Sequence, residues 1–107
     1  MKFIRVAKLG EVREGCMKGV EADGQEVVLA CVQGQVFAFD GICNHGLAYL
    51  EEGDLKGYEV VCPLHSGSFD IRSGVPTCAP AVDAMKVFPV RIENDEVLID
   101  MDVGGSA

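Results

Sequence analysis

The sequence predicts an all-β domain, and two observations support this prediction. Short β-prone runs occur in pairs, each pair joined by a turn-forming break, and no part of the chain has the apolar repeat of a long amphipathic helix. A chain of 107 residues is long enough for one modest core, so we expect residues 1–107 to form a single domain.

The sequence predicts one hairpin in the first half of the chain. Residues 9–15 are long enough only for a single helical turn. The β-prone runs 26–32 and 35–40 follow, separated by Gln33 and Gly34, and two strands joined by so short a break predict a hairpin.

Residues 46–61 predict a loop, a turn and a strand. Gly53 and Gly57 favour turns, and the β-prone run 58–61 favours a strand. Residues 68–71 then predict a short returning strand, and residues 72–74 a turn.

A second hairpin is expected near the end of the sequence. The runs 86–92 and 96–101 flank the turn-forming residues 93–95, and apolar side chains alternate along the first run. Pro89 has no backbone N–H, so we expect its strand to lie at a sheet edge, or its nitrogen to face away from a partner.

Charge and hydropathy restrict the partners. Seventeen acidic residues against nine basic ones give a net charge of −8, which disfavours nucleic acids and anionic membranes and favours basic protein surfaces. The alternative is that acidity only keeps the domain soluble. No apolar stretch is long enough to span a bilayer, and residues 1–8 alternate basic and apolar side chains, so we expect no membrane association and a cytoplasmic location.

Two short motifs carry the metal chemistry: CNH at residues 43–45 and CPLH at residues 62–65. Each supplies one thiolate and one imidazole, and together they contain both histidines of the chain. Zinc modules usually place two sulfurs in one segment and two histidines in another. In a Rieske centre two histidines replace two cysteines on one iron, so two mixed segments supply the full set. The pattern predicts one Rieske-type 2Fe–2S cluster bound by Cys43, His45, Cys62 and His65, with a structural Cys2His2 zinc interaction module as the remote alternative.

Three further cysteines are expected to be free thiols, which suits a reducing cytoplasm. We interpret Cys16 and Cys31 as small core residues without a chemical role. One interpretation places Cys78 near the cluster. Cys78 need not bind metal, because the two motifs already supply two complete ligand pairs.

These residues resemble the Rieske ferredoxins of bacterial aromatic ring-hydroxylating dioxygenase systems, such as those for biphenyl, naphthalene and carbazole. The resemblance covers nearly the whole chain and is most specific in CNHG (43–46) and CPLHSGSFD (62–70), followed by Gly74, CAP (78–80) and VFPVRIEN (87–94). It implies a sandwich of three small antiparallel sheets. Two hairpin loops would form a cluster-binding subdomain over residues 41–82, covered by a loop containing Pro80.

The same resemblance implies roles for the ligands. Cys43 and Cys62 would hold an inner iron, and His45 and His65 would hold an outer iron at the surface that faces a partner. The protein would be a soluble, monomeric one-electron carrier that performs no catalysis. Electrons would pass from a flavin-dependent, NAD(P)H-oxidising ferredoxin reductase to a terminal oxygenase, through transient contacts with basic surfaces.

The alternative is that the chain is the Rieske small subunit or the electron carrier of another oxidoreductase, such as a nitrite reductase. The chain cannot itself be a terminal oxygenase, because no histidine is left for a mononuclear iron held by two histidines and a carboxylate.

Residues around the motifs predict a low reduction potential. In respiratory Rieske proteins, two cysteines form a disulfide between the loops, and a serine and a tyrosine donate hydrogen bonds to the cluster and its ligands. By the resemblance, these positions hold Ala48, Leu64, Gly67 and Phe69 here. We therefore expect a potential near the low end of the range of about −150 to +300 mV. The sequence leaves open whether Ser66 or Ser68 points towards the cluster.

Overall fold

Eleven strands and two 3₁₀ turns occur within residues 3–41, 50–63, 67–78 and 85–101, the residues that the computed structural model describes. The strands are β1 (Phe3–Lys8), β2 (Met17–Ala22), β3 (Gln25–Val32), β4 (Gln35–Asp40), β5 (Asp54–Lys56), β6 (Glu59–Val61), β7 (Ser68–Asp70), β8 (Pro76–Cys78), β9 (Val87–Phe88), β10 (Val90–Glu93) and β11 (Glu96–Asp100). The 3₁₀ turns cover Leu9–Glu11 and Leu50–Glu52. The all-β prediction is confirmed.

The strands form three antiparallel sheets. The first has the order β1-β11-β10, the second β2-β3-β4-β9 and the third β5-β6-β7-β8. Three small antiparallel sheets are the architecture that the resemblance implied.

Strand β3 separates two hydrophobic cores. Its residues Val27 and Leu29 pack with β11 of the first sheet, whereas Val28 and Ala30 pack with the third sheet. Successive side chains of a strand point to opposite faces, so a strand with a core on each face is apolar at every position. This explains the uninterrupted apolar run that begins at Val27.

The predicted hairpin of β3 and β4 is confirmed, and so is its turn. Gln33 and Gly34 have φ values of 54° and 77°, the left-handed conformation that matches the twist of the flanking strands. The Glu14 carboxylate accepts hydrogen bonds from the backbone N–H groups of both residues, at 2.6 and 2.8 Å. These two bonds lower the pKa of Glu14 below its ordinary value.

The second predicted hairpin is also present, but its first strand differs from the prediction. A single strand over residues 86–92 was wrong: the chain divides at Pro89 into β9, which pairs with β4, and β10, which pairs with β11. Pro89 lacks a backbone donor, so the ladder breaks there and the chain crosses from the second sheet to the first. Both β9 and β10 are edge strands, as expected for a proline-containing segment.

Four strands were not predicted from the sequence: β1, β2, β5 and β8. The alternating residues at the start of the chain pair with β11, and the short β8 pairs with β7. Cys16 also differs from the expectation of a core residue, because it is exposed, whereas Cys31 is buried as predicted. Within the described ranges, no helix is long and apolar enough to cross a membrane.

Candidate metal centre

One end of the third sheet positions the second motif. The register places Asp54 opposite Val61, Val61 opposite Ser68, and Ser68 opposite Cys78, so these four residues form a row across the sheet. Strand β6 ends in this row and leads directly into Cys62. The loop after β6, the segment before β5 and the segment after β8 therefore all begin or end at this row.

Cys62 lies at the base of the loop between β6 and β7. Its side chain is 2% exposed and packs in the core of the third sheet. Its backbone N–H donates to the carbonyl of Gly67 at 2.7 Å, which closes the loop. His65, the other predicted ligand of this motif, lies outside the described residues.

Both predicted ligands of the first motif, Cys43 and His45, also lie outside the described residues. The residues on either side of their segment are joined, because the N–H of Leu50 donates to the carbonyl of Gly41 at 2.8 Å. Leu50 is fully buried and belongs to the same hydrophobic cluster as Cys62. The residue that follows the segment of the first motif thus packs in the same core as Cys62.

Pro80 and the rest of residues 79–84 lie outside the described residues, but the residue that follows them is described. Beyond this segment, Met85 is buried in the same cluster as Leu50 and Cys62, and its N–H donates to the carbonyl of Gly74 at 2.9 Å. Described residues that adjoin the three segments expected to enclose the cluster therefore share one core: Leu50, Cys62 and Met85.

Gly53 is a structural residue of the site that sequence reasoning interpreted only as a turn former. A Cβ atom at this position would collide with the carbonyl oxygen of Val61 and would lie 3.2 Å from Cδ of Pro63. The backbone leading into β5 therefore packs against the base of the second ligand loop, a contact open only to glycine.

The structure settles the orientation of Ser68, which the sequence left open. The Ser68 side chain is buried, and its Oγ lies 2.6 Å from Oγ1 of Thr77 on β8. This hydrogen bond ties the strand after the second motif to the strand that leads towards Pro80. Ser66 is outside the described residues, and so is the side chain of Cys78.

The described residues fit a 2Fe–2S cluster. A buried cysteine at the base of a closed loop matches the expected inner-iron ligand, and two thiolates with two imidazoles match the donor set of a Rieske centre. Phe69 is fully buried and offers no hydroxyl group to a cluster. Within the described ranges no cluster of three or more histidine, cysteine or acidic side chains could hold a metal ion.

The same end of the molecule carries exposed negative charge. Glu52 and Asp54 are both exposed, and they flank Gly53, whose backbone packs against the base of the second ligand loop. Lys56, two residues further along β5, is the next basic residue along the chain.

Comparisons with known proteins agree with this geometry. The model of the Rieske [2Fe-2S] domain matches residues 2–89. The ferredoxin component of the naphthalene 1,2-dioxygenase system of Pseudomonas putida is 42% identical, covering 94% of this chain and 97% of the relative. The solved ferredoxin of Sphingomonas yanoikuyae B1 is 34% identical with a TM-score of 0.89, covering 94% of this chain and 99% of that one.

A further solved structure is a complex of reduced oxygenase and oxidized ferredoxin in carbazole 1,9a-dioxygenase. The matched chain is 30% identical with a TM-score of 0.86, and the match covers 91% of each chain. Sequence, fold and the position of Cys62 lead to the same conclusion: this chain belongs to the Rieske [2Fe-2S] domain family.

Proposed function

We propose that this chain is the ferredoxin component of an aromatic-ring dioxygenase system. It carries single electrons from a flavin-dependent, NAD(P)H-oxidising reductase to a terminal oxygenase and catalyses no substrate reaction itself. The end-to-end similarity to a ferredoxin component of such a system carries this proposal, because that relative is matched over 97% of its own length. The complex of ferredoxin and oxygenase in the carbazole system supports the oxygenase as a direct partner.

The proposed ligands are Cys43, His45, Cys62 and His65. The bound 2Fe–2S cluster supplies reversible one-electron exchange. Cys62 offers a thiolate from within the core, and the Cys62–Gly67 hydrogen bond fixes the base of its loop. We further propose that residues 1–107 form one domain, with residues 41–82 as its cluster-binding subdomain.

The exposed carboxylates of Glu52 and Asp54 support docking on basic partner surfaces. Opposite charges on two proteins increase the rate of encounter more than the lifetime of the complex, which suits a carrier that must bind and leave two partners in turn. The protein would act as a monomer in the cytoplasm. Electron transfer to the oxygenase should slow as salt rises, and Glu52→Gln with Asp54→Asn should weaken that salt dependence. A salt response unchanged by these substitutions would refute this docking surface.

The central experiment is anaerobic purification followed by assays of iron, acid-labile sulfide and zinc. We expect two irons and two sulfides per chain, a paramagnetic signal on reduction, and a potential near the low end of about −150 to +300 mV. Stoichiometric zinc without sulfide would replace the carrier proposal with the zinc module. A strongly positive potential would refute the low-potential prediction.

A matched pair of variants tests the ligand assignment. Cys62→Ser removes a proposed buried ligand and should abolish the cluster, whereas Cys16→Ser changes an exposed thiol outside the motifs and should retain full iron and sulfide. His65→Cys should lower the potential of any cluster that assembles, because a third thiolate adds negative charge to the site. A full cluster in Cys62→Ser would contradict the assignment.

A further inference from the structure

Two thiols lie opposite each other where β2 and β3 begin to separate. Met17 pairs with Ala30 at the end of this ladder, and one further step places Cys16 opposite Cys31. The N–H of Cys31 donates to the carbonyl of Cys16 at 3.4 Å, so the two backbones are in contact at this step. Both cysteines are free thiols in the structure.

The two side chains share one face of the sheet. In β2, Val20 and Ala22 pack in the core between the first two sheets, and Cys16 has the same parity along the strand. In β3, Leu29 packs in that core, and so does Cys31. Opposite residues of an antiparallel ladder have Cα atoms about 4.5–5.5 Å apart, within the range of about 4.4–6.8 Å that a disulfide spans, and the Cys31–Cys16 backbone hydrogen bond holds the two chains together at this step.

The chain around Cys16 is a bulge. The N–H of Gly15 donates to the carbonyl of Cys31 at 2.7 Å, so Gly15 and Cys16 together face a single residue of β3. Gly15 has a φ of 75°, and the N–H of Cys16 donates to the carbonyl of Arg13 at 3.1 Å, which closes a turn. The regular ladder is therefore interrupted at this step, and a bond between the two thiols would form beyond the continuous pairing of β2 with β3.

The environments of the two thiols differ. Cys16 is exposed and accessible to a small oxidant, whereas Cys31 is only 7% exposed. The Cys31 thiol donates to Oε1 of Glu14 at 3.7 Å. Burial raises the pKa of Cys31, and the negative charge of Glu14 adds to this effect, which disfavours the Cys31 thiolate.

We propose that Cys16 and Cys31 form a disulfide when the protein meets a hydroperoxide, which makes this pair an oxidation site separate from the metal centre. The sulfur of Cys16 attacks the peroxide, an S–O bond forms and the O–O bond breaks, and the leaving oxygen takes the Cys16 proton to depart as an alcohol or water. The sulfur of Cys31 then attacks the sulfur of Cys16, the S–O bond breaks, and the released hydroxide takes the Cys31 proton as water. The two thiols lose two electrons, and the peroxide gains them.

The position of the bond makes it independent of the cluster. Cys31 faces the core between the first two sheets, while its neighbours Ala30 and Val32 face the core that contains Cys62. Oxidation would exchange the Cys31–Glu14 hydrogen bond for a covalent link between the bulge and β3. The proposal therefore does not rest on the proposed electron-carrier function.

The test uses the intact protein, treated with a small molar excess of hydrogen peroxide. Remaining thiols are then alkylated under denaturing conditions, and the chain is digested without reduction for mass spectrometry. Trypsin releases Cys16 in a short peptide, and chymotrypsin cuts after Phe37 and Phe39, which separates Cys31 from Cys43. We expect one cross-linked peptide pair joining Cys16 to Cys31, reversed by dithiothreitol.

Two variants complete the test. Cys31→Ser should leave a sulfenic acid on Cys16 that dimedone traps, because the second thiol is missing, whereas Cys78→Ser should give the same cross-link as the parent protein. The proposal is overturned if Cys16 pairs with Cys78 or with a second copy. It is equally overturned if Cys16 oxidises to a sulfinic acid while Cys31 stays fully alkylated.

Discussion

Gly53→Ala should destabilise the protein and disturb the candidate metal centre. The added Cβ would collide with the carbonyl oxygen of Val61 and crowd Cδ of Pro63. The carbonyl belongs to the backbone of β6, which is held between β5 and β7, so it cannot rotate away as a flexible side chain would. Either the segment before β5 or the base of the second ligand loop must move.

The magnitude follows from the kind of collision. Overpacking typically costs about 1–3 kcal/mol, and because a backbone atom must shift we expect about 2 kcal/mol at Gly53. In a domain of about 100 residues, a loss of that size lowers the melting temperature by roughly 8–16 °C. A displaced loop should also reduce the iron retained after purification.

Gly10→Ala is the matched control, since a Cβ at Gly10 would have no atom within 4 Å. Surface substitutions of this kind usually change stability by no more than about 0.5 kcal/mol. Thermal unfolding and iron content should be measured for both variants and the parent protein. If Gly53→Ala has the same melting temperature as Gly10→Ala and keeps full iron, the close packing of Gly53 on the ligand loop is refuted.

Three further predictions concern single contacts. Thr77→Val leaves the buried Ser68 hydroxyl without its partner and should lower the free energy of unfolding in urea by about 1–3 kcal/mol, whereas Thr77→Ser keeps a hydroxyl and should not. Equal urea midpoints for the two variants would contradict the hydrogen bond. The lowered pKa of Glu14 means that its stabilisation is present above its ordinary pKa and lost as pH falls through the lower folded value, so Glu14→Gln should melt below the parent at pH 7 and approach it in acid. A difference that stays constant with pH would exclude this titration. Phe69→Ala empties a fully buried position and should cost roughly 3–5 kcal/mol, against little change for the exposed Val75→Ala; similar losses for both would be inconsistent with the described core.

The features predicted correctly from the sequence are those encoded locally. The β3–β4 hairpin was predictable because its turn residues and flanking runs are adjacent in the chain, and the ligand motifs were predictable because each is a few residues long. The division at Pro89 was not predictable, because the choice of β4 for one half and β11 for the other depends on strands distant in sequence.

The same distinction applies to the site. At the candidate metal centre, the contact of Ser68 with Thr77 depends on folding that brings β7 and β8 together, as the contact of Glu14 with Gly34 does at the turn between β3 and β4. The burial of Cys62 agrees with a ligand position, but the sequence alone gave no sign that Gly53 packs below its loop. The ligand roles of Cys43, His45 and His65 stay predictions.

Strand β3 has a consequence for how the protein unfolds. The two hydrophobic cores lie on opposite faces of β3. If one core lost its packing, one face of β3 would be exposed, and this would destabilise the other core as well. The backbone amides of β3 should therefore exchange with solvent only through global unfolding. The described residues that adjoin the ligand segments, such as Leu50 and Cys62, should therefore keep their packing until the whole fold unfolds.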